Sequence, residues 1–465
     1  MPSKSKPRAI TNFLKWRDPS LIGVATACLF AALASTAARA DEPKSPLAKP
    51  TLATGDMVVF LGDSITQQCL YTQYVEDYLV TRLPRTQLKF HNSGVGGDKA
   101  ADALARFDRD VAAYKPKYVT VLLGMNDGSY QPYEPTVFEA YRSGMRTLID
   151  KIVAIGATPI LITPTMYDAR AARARPAKFD PMRAEYYNST LAYYGAWLRE
   201  IAVENGYGFA DMYGPLNSLT LATRKKDPKF TLIADAVHPG PGGQAVMAGA
   251  LIADLGMPTR VATLSLSRDD EGDAKVLAQG GKVSDAKFTS DGLEFTFLAD
   301  SLPWVLPDDA KEGYDLAHFG HRLSRDALEV HGLKPGKYQL LVDDQPIGVF
   351  TSQDLEDTVE LQGKAKLPQV EQAASVAKIN QQRNQEAVLP LRMLWRSKKL
   401  LGRAQQQLDQ KPDDKKVQAE VARLEKELAD FDGQIASLET SAAKLLDQMY
   451  AGAQPKSHRY RLVRQ

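Results

Sequence analysis

Residues 55–258 are predicted to fold as an α/β unit with a parallel sheet covered by helices on both faces. Two observations predict it. Apolar runs at 57–61, 118–123 and 158–163 read as buried strands, and segments of helical periodicity fill the gaps between them. Beyond about residue 260 the pattern changes. Short stretches alternate apolar and polar residues, as half-buried strands do, and from 366 long helical periodicity takes over. The chain therefore divides into a parallel α/β part, a small β domain over 262–365, and a helical hairpin over 366–452 inserted in that β domain.

The elements follow in chain order. Residues 1–40 read as an export signal. A basic stretch precedes the apolar, alanine-rich run Leu21 to Ala34, and Ala38-Arg39-Ala40 is the small-x-small pattern that signal peptidase cuts before Asp41. The run is short for a membrane span, so an exported periplasmic or extracellular chain with no transmembrane span is expected, rather than one held by an uncleaved anchor. Cys28 is followed by more apolar residues, unlike a lipoprotein cleavage site. Cleavage would leave Cys69 as the only thiol, so no internal disulfide is available to the mature chain. Residues 41–54, with Pro43, Pro46 and Pro50, form a linker.

In the α/β part, Leu88-Lys89-Phe90-His91 and Gly208-Phe209-Ala210-Asp211 add weaker strands. Helices are expected at 66–82, 100–113, 135–155, 181–205 and 242–254. Farther on, Leu333 to Phe350 reads as turn, strand, tight turn, strand. Val417, Val421, Leu424, Leu428, Phe431, Ile435, Leu438, Ala442 and Leu445 step alternately by four and three, a heptad seam preceded by the break at Lys411-Pro412. An upstream helix carries Leu391, Leu394, Trp395, Leu401 and Leu408. An antiparallel hairpin accounts for Pro412 without a partner; the alternative is a coiled coil through which the chain self-associates. The alternating tail from His458 to Val463 is expected to return as a strand to the β domain.

The chain has 465 residues, 44% hydrophobic and 25% charged, the balance of a globular protein of two or three domains. Its formal net charge of +2 includes six basic residues against Asp18 in the first 40 positions, and removing those positions takes it to −3. Nothing in that balance favours nucleic acid as a partner.

Four polar turns follow strand-like or loop positions: Gly62-Asp63-Ser64, Asn92 to Gly97, Gly124-Met125-Asn126-Asp127, and Asp235-Ala236-Val237-His238. In a parallel sheet, sites form at the carboxyl ends of strands, so Ser64, Gly97 and Asn126 fall on one edge. A serine hydroxyl becomes a nucleophile when a histidine takes its proton, and a carboxylate can hold that histidine in the required tautomer. Ser64, His238 and Asp235 supply those three groups. The bland alternative for Ser64 is a helix cap. Gly97 can bring its backbone N–H close to a developing oxyanion, and the Asn126 amide can donate to it. For Gly94, Gly96 and Gly97 the simpler reading is turn formation, and for Asn126 a cap. Cys69 is either a second nucleophile or a small packing residue, the latter being expected. His318 and His321 lack a matching acidic cluster, so neither a metal nor another cofactor is expected.

With these residues in this order, the chain resembles the GDSL-type, or SGNH, hydrolase superfamily, named for serine, glycine, asparagine and histidine in four blocks. Ser64, Gly97, Asn126, and His238 with Asp235 match them in turn, and Ile65 stands where leucine is common. The resemblance spans about 200 residues. It implies a flavodoxin-like three-layer α/β/α domain, ester hydrolysis through a Ser-His-Asp triad, and an oxyanion hole from the Ser64 and Gly97 N–H groups and the Asn126 side chain. Export and an appended β domain resemble secreted carbohydrate esterases, so O-deacetylation of a glycan is the expected reaction. A lipase, lysophospholipase or thioesterase is the alternative, and an envelope binding or scaffold protein with a degenerate hydrolase domain is the non-enzymatic one. If the hairpin merely attaches the protein to something, deleting 366–452 should leave activity intact.

Overall fold

The computed structural model describes residues 47–175 and 181–465. The export signal read in residues 1–40, and residues 41–46 of the linker, lie outside the described residues. The three apolar runs and the two weaker strands become β1 (Met57–Gly62), β2 (Lys89–Gly94), β3 (Tyr118–Leu122), β4 (Thr158–Ile162) and β5 (Gly208–Ala210). All pair in parallel, in the order β2-β1-β3-β4-β5. Strands such as β3 are apolar at nearly every position because helices cover both faces of the sheet. Those helices are α1 (Ser64–Gln67), α2 (Leu70–Arg82), α3 (Ala100–Asp110), α4 (Pro135–Ala154), α5 (Ala169–Arg173), α6 (Pro181–Asn205), α7 (Tyr213–Thr223) and α8 (Pro241–Asp254). Two cores result. One packs Phe60, Tyr78 and Leu251 on one face of the sheet, and the other packs Val59, Val119 and Leu161 on the opposite face. The strand order places its topological switch between β1 and β3, where ligands bind in such sheets.

One helix differs from expectation. Residues 66–82 do not form a continuous helix: it breaks at Gln68 and Cys69, and Cys69 takes a left-handed conformation with φ +62°. Side chains meet the backbone groups that the break releases. Asn92 Nδ2 donates to the Thr66 carbonyl (2.8 Å), and Gln244 Oε1 accepts from the Tyr71 N–H (2.9 Å). Cys69 is a buried residue in front of α2 rather than inside a helix, and burial pushes its thiol up to about 12, which suits packing and not nucleophilic chemistry. Helix α7 is an addition that residue periodicity did not reveal.

The β region begins at Arg260. Its strands are β6 (Arg260–Arg268), β7 (Ala274–Gln279), β8 (Gly281–Phe288), β9 (Gly292–Ala299), β10 (Arg325–His331), β11 (Lys337–Val342), β12 (Gln345–Thr351) and β13 (Val359–Glu360), with short helices α9 (Lys311–Leu316), α10 (Phe319–Leu323) and α11 (Ser352–Glu356) between them. They make two sheets. The four-stranded sheet runs β13-β10-β6-β7, with β10 parallel to β6. The segment around Trp304 leaves the β region and packs into the first core, where the Trp304 indole donates to the Tyr74 carbonyl at 2.9 Å.

The helical region comprises α12 (Pro368–Arg383), α13 (Leu389–Gln410), α14 (Lys415–Glu427) and α15 (Phe431–Gly452). A single π-type turn over Asn384–Val388 joins α12 to α13, so the outgoing arm is nearly continuous. The returning arm is not. The heptad seam is interrupted at Leu428, and Asp430 restarts it by accepting from the Gly433 N–H. Val421 and Leu424 pack against Ala404, while Phe431, Ile435 and Leu438 pack around Leu391, Trp395 and Val95. The seam is thus used inside the chain, as a hairpin lying on the α/β domain. After it, β14 (Ser457–Arg464) enters the second sheet between β11 and β9, antiparallel to both, as expected for the alternating tail.

Candidate active site

Strand β1 ends at Gly62, and the chain turns at once into α1. Asp63 caps that helix by accepting from the Ile65 N–H at 2.9 Å, so Ser64 is the first helical residue rather than the cap. Its Oγ lies 2.7 Å from His238 Nε2. His238 Nδ1 lies 2.7 Å from Asp235 Oδ2. The Asp235–His238 loop holds itself in shape. Asp235 Oδ1 accepts from the Val237 and His238 N–H groups (2.9 and 2.6 Å), and Ala236 adopts a left-handed φ of +75° to allow it. Partial burial would raise the Asp235 carboxyl, but the His238 N–H, the His238 ring and the Val237 N–H outweigh it, and the acid is held below its ordinary range. It stays ionised where the imidazole works.

The other two blocks reach the same place. Gly94, at the end of β2, lies against α1 so closely that a Cβ there would meet Gln67 N at 2.3 Å. Gly97 follows with φ +71°, a left-handed value that glycine adopts without strain. Among the described residues its N–H has no protein acceptor. Asn126 follows β3. Its Oδ1 accepts from the Tyr130 hydroxyl (3.2 Å), and its Nδ2 donates to the Asp98 carbonyl (3.0 Å) and to Asp63 Oδ2 (3.2 Å). The amide is firmly placed, but for it to serve an oxyanion the longer bond to Asp63 must yield. Burial pushes the Asp63 carboxyl up to about 7, so near neutrality it is only partly charged and is a weaker competitor for that hydrogen.

Ser64, His238, Gly97 and Asn126 line one cleft of about 680 Å³, within the size range of small-molecule sites. The five site residues read from the sequence are therefore together: four on the cleft wall, with Asp235 behind His238. What the sequence reading missed is the opposite wall, which α13 supplies through Leu389, Arg396, Lys399, Leu400 and Arg403. A signal was present. Arg392, Arg396, Lys399 and Arg403 recur at spacings of four, three and four, a basic stripe on one helix face. Helix α3 and the turn before it answer it with acids. Lys399 Nζ bonds Asp98 (2.6 Å) and Asp102 (3.1 Å), and Arg392 meets Asp110 at 3.0 Å, both side chains fully buried. Burial alone would push Asp110 up, yet Arg392, His91 and Arg106 hold its carboxyl well below the usual range. Deleting 366–452 would thus remove a cleft wall, and the hairpin is more than an attachment device.

Among the described residues no group of three or more His, Cys, Asp or Glu side chains could hold a metal ion, and His321 pairs with Glu360. No helix among them is long and apolar enough to cross a membrane.

Comparison with known proteins agrees with this geometry. Residues 60–246 match the GDSL-like Lipase/Acylhydrolase family. An acetylxylan esterase of Geobacillus stearothermophilus is 26% identical over 226 residues, covering 44% of this chain and 96% of that protein. An uncharacterized lipoprotein of Bacillus subtilis (strain 168), YqeF, is 35% identical over 81 residues, covering 17% of this chain and 33% of that protein. The solved structure of a gut microbial diltiazem-metabolizing enzyme is 25% identical, with a TM-score of 0.76, over 91% of this chain and all of that one, so the likeness extends through the β sheets and long helices. With a serine, a histidine and their strand-end companions meeting in one cleft, residues 60–246 are a GDSL-like lipase/acylhydrolase family domain, followed in this chain by further β sheets and long helices.

Proposed function

We propose that the chain is an exported serine esterase that removes acetyl groups from a glycan by an acyl-enzyme mechanism. The observation that carries the mechanism is the unbroken relay Ser64–His238–Asp235, with two bonds of 2.7 Å, at the mouth of the cleft. Ser64 Oγ attacks the ester carbonyl while its proton passes to His238 Nε2. Asp235 accepts the Nδ1–H and stabilises the imidazolium. The carbonyl oxygen gathers charge toward the N–H groups of Ser64 and Gly97 and the Asn126 amide. Collapse expels the alcohol, which takes the proton from His238. Water then enters, gives its proton to His238 and releases the acid, and Ser64 recovers its hydrogen.

Two features support a short acyl group on a sugar. The cleft presents Gln67, Gln68, Tyr130 and basic side chains that can hydrogen-bond sugar hydroxyls, beside Leu70, Leu389 and Leu400. The likeness to an acetylxylan esterase points the same way. Acyl-chain selectivity tests this reading: kcat/KM on p-nitrophenyl esters should fall about tenfold or more from acetate to octanoate, and acetate should be released from acetylated oligosaccharides. Octanoate hydrolysed faster than acetate would favour a lipase. Export through residues 1–40 is part of the proposal: the exported protein should begin at Asp41, and a chain that stays inside the cell with residues 1–40 attached would contradict it.

Two further outcomes follow from the site. Asn126→Ala should lower kcat by about 10²–10³, the range for losing one oxyanion donor, with a smaller change in KM. Steady-state rates on p-nitrophenyl acetate check it, and a loss below tenfold would remove Asn126 from the oxyanion hole. The relay also needs His238 unprotonated, so kcat/KM falls as the pH drops into the acid range. Asp235, held below its ordinary value, remains ionised through that limb. The limb of log(kcat/KM) against pH should therefore have a slope of one, and a slope of two would mean that a second acid of the site, Asp235 or Asp63, must also be ionised for turnover.

A further inference from the structure

The wall built by α13 makes the cleft basic. Arg396, Lys399 and Arg403 line it, and no carboxylate does. These three cations are not equivalent. Lys399 is neutralised by Asp98 and Asp102. Arg403 is more than half exposed and lies 3.7 Å from Asp102, a carboxylate that Lys399 already engages at 3.1 Å. Arg396 is exposed and has no acidic partner among the described residues. Its guanidinium sits over the Gly96–Gly97 turn, with Nε 3.8 Å from where a Gly96 Cβ would stand. The turn beneath it is fixed, because the Gly96 N–H donates to Gln67 Oε1. An unpaired guanidinium therefore hangs over the turn whose next residue, Gly97, faces the reacting carbonyl.

Such a group is suited to a planar anion. A guanidinium presents paired N–H donors that match a carboxylate at two points, which an ammonium cannot do. A neutral glycan gives Arg396 nothing to neutralise, whereas a sugar acid held by its ester at Ser64 would place its carboxylate on this wall. We propose that Arg396, assisted by Arg403, binds a carboxylate of the substrate, and that the preferred substrates are acetyl esters on acid-bearing glycans, such as uronic acid polymers. The inference rests on the esterase reading above and adds the charge of the substrate to it. Arg396 acts here as a specificity residue that holds the substrate and takes no part in bond making.

The test compares kcat/KM on acetylated oligogalacturonides with kcat/KM on acetylated xylo-oligosaccharides of similar length, using the full chain at low ionic strength. Wild type should favour the acidic substrate by at least about fivefold, the upper end for one exposed charge pair, because Arg403 adds a second cation beside Arg396. Most of that preference should lie in KM, and it should shrink in 0.5 M salt as screening shortens the reach of the charge. Arg396→Glu, which reverses the charge, should bring the ratio to about one or below. If Arg396→Glu fails to fold by circular dichroism, Arg396→Gln serves, read through inhibition. Galacturonate should inhibit p-nitrophenyl acetate hydrolysis by wild type more strongly than galactose does, and that difference should vanish in the variant. A wild-type preference under fivefold overturns the proposal, as does a substitution that changes both substrates by the same factor. Turnover of neither glycan, with p-nitrophenyl acetate also untouched, would instead overturn the esterase reading itself.

Discussion

Ser64→Ala is expected to lower kcat on p-nitrophenyl acetate by about 10⁵–10⁶-fold, the scale seen when a triad nucleophile is removed. The fold should survive. The cap of α1 is the Asp63 carboxylate and not the serine hydroxyl, and among the described residues the side-chain partner of Ser64 Oγ is His238. The expected result is thus a large kinetic loss with an unchanged thermal melt, and KM should change far less than kcat. Asp235→Ala should cost less than His238→Ala. The imidazole can still accept a proton without its orienting acid, but nothing replaces it as the base. Residual activity within tenfold of wild type for Ser64→Ala, in protein free of contaminating esterase, would mean that another group makes the acyl bond.

Arg392→Ala is expected to destabilise the chain by about 3–5 kcal/mol, the usual consequence of removing one partner of a buried ion pair. Both Arg392 and Asp110 have 0% of their side chains exposed, so solvent screening does not dilute the effect. Arg392 also donates to the Asn92 carbonyl, which ties α13 to the strand beside the nucleophile. The lower end of the range is the more reasonable, because Asp110 keeps His91, Ser93 and Arg106 as partners. Urea or thermal unfolding of wild type and variant at pH 7 measures the difference, and a loss under about 1 kcal/mol would show that this pair contributes little to docking the hairpin. The pH dependence has a definite sign. Asp110 is held below its unfolded value, so its pairing contributes stability above an unfolded pKa of about 3.9 and loses it as pH falls toward the depressed folded value. The gap between wild type and variant should persist down to about pH 4 and narrow below it.

Much of the hydrolase part was legible along the chain. Val58 to Leu61 are apolar without interruption, and Tyr118 to Leu122 are apolar but for Thr120, because both faces of those strands are covered, and that requirement is written locally. Once the strands are parallel, the residues after them share an edge, so Ser64, Gly97 and Asn126 could be brought together without coordinates. Asp235 and His238 were legible for another reason: three residues of separation suffice for a loop to close on itself through the Asp235 carboxylate. The breaks were not legible. Cys69 interrupts a run with good helical periodicity because two residues distant in sequence satisfy the backbone at the break, Asn92 donating to the Thr66 carbonyl and Gln244 accepting from the Tyr71 N–H. Leu428 interrupts a regular heptad seam where the returning arm leaves Ala404 and turns to Leu391 and Trp395 of α13 together with Val95 of the α/β domain.

By itself, the sequence determined the parallel sheet, the place of the nucleophile and its base, and the return of the final strand. Each depends on short-range pattern: continuous burial, a tight turn, or strict alternation. The tertiary structure alone decided that the hairpin forms one wall of the cleft and sets its charge. A basic stripe on a helix states that it needs an acidic neighbour without naming one, and the neighbour of Arg392 lies 282 residues away. Complementarity between two distant faces exists only once both are folded, which is why the chemistry was readable from the chain and the surface that selects its substrate was not.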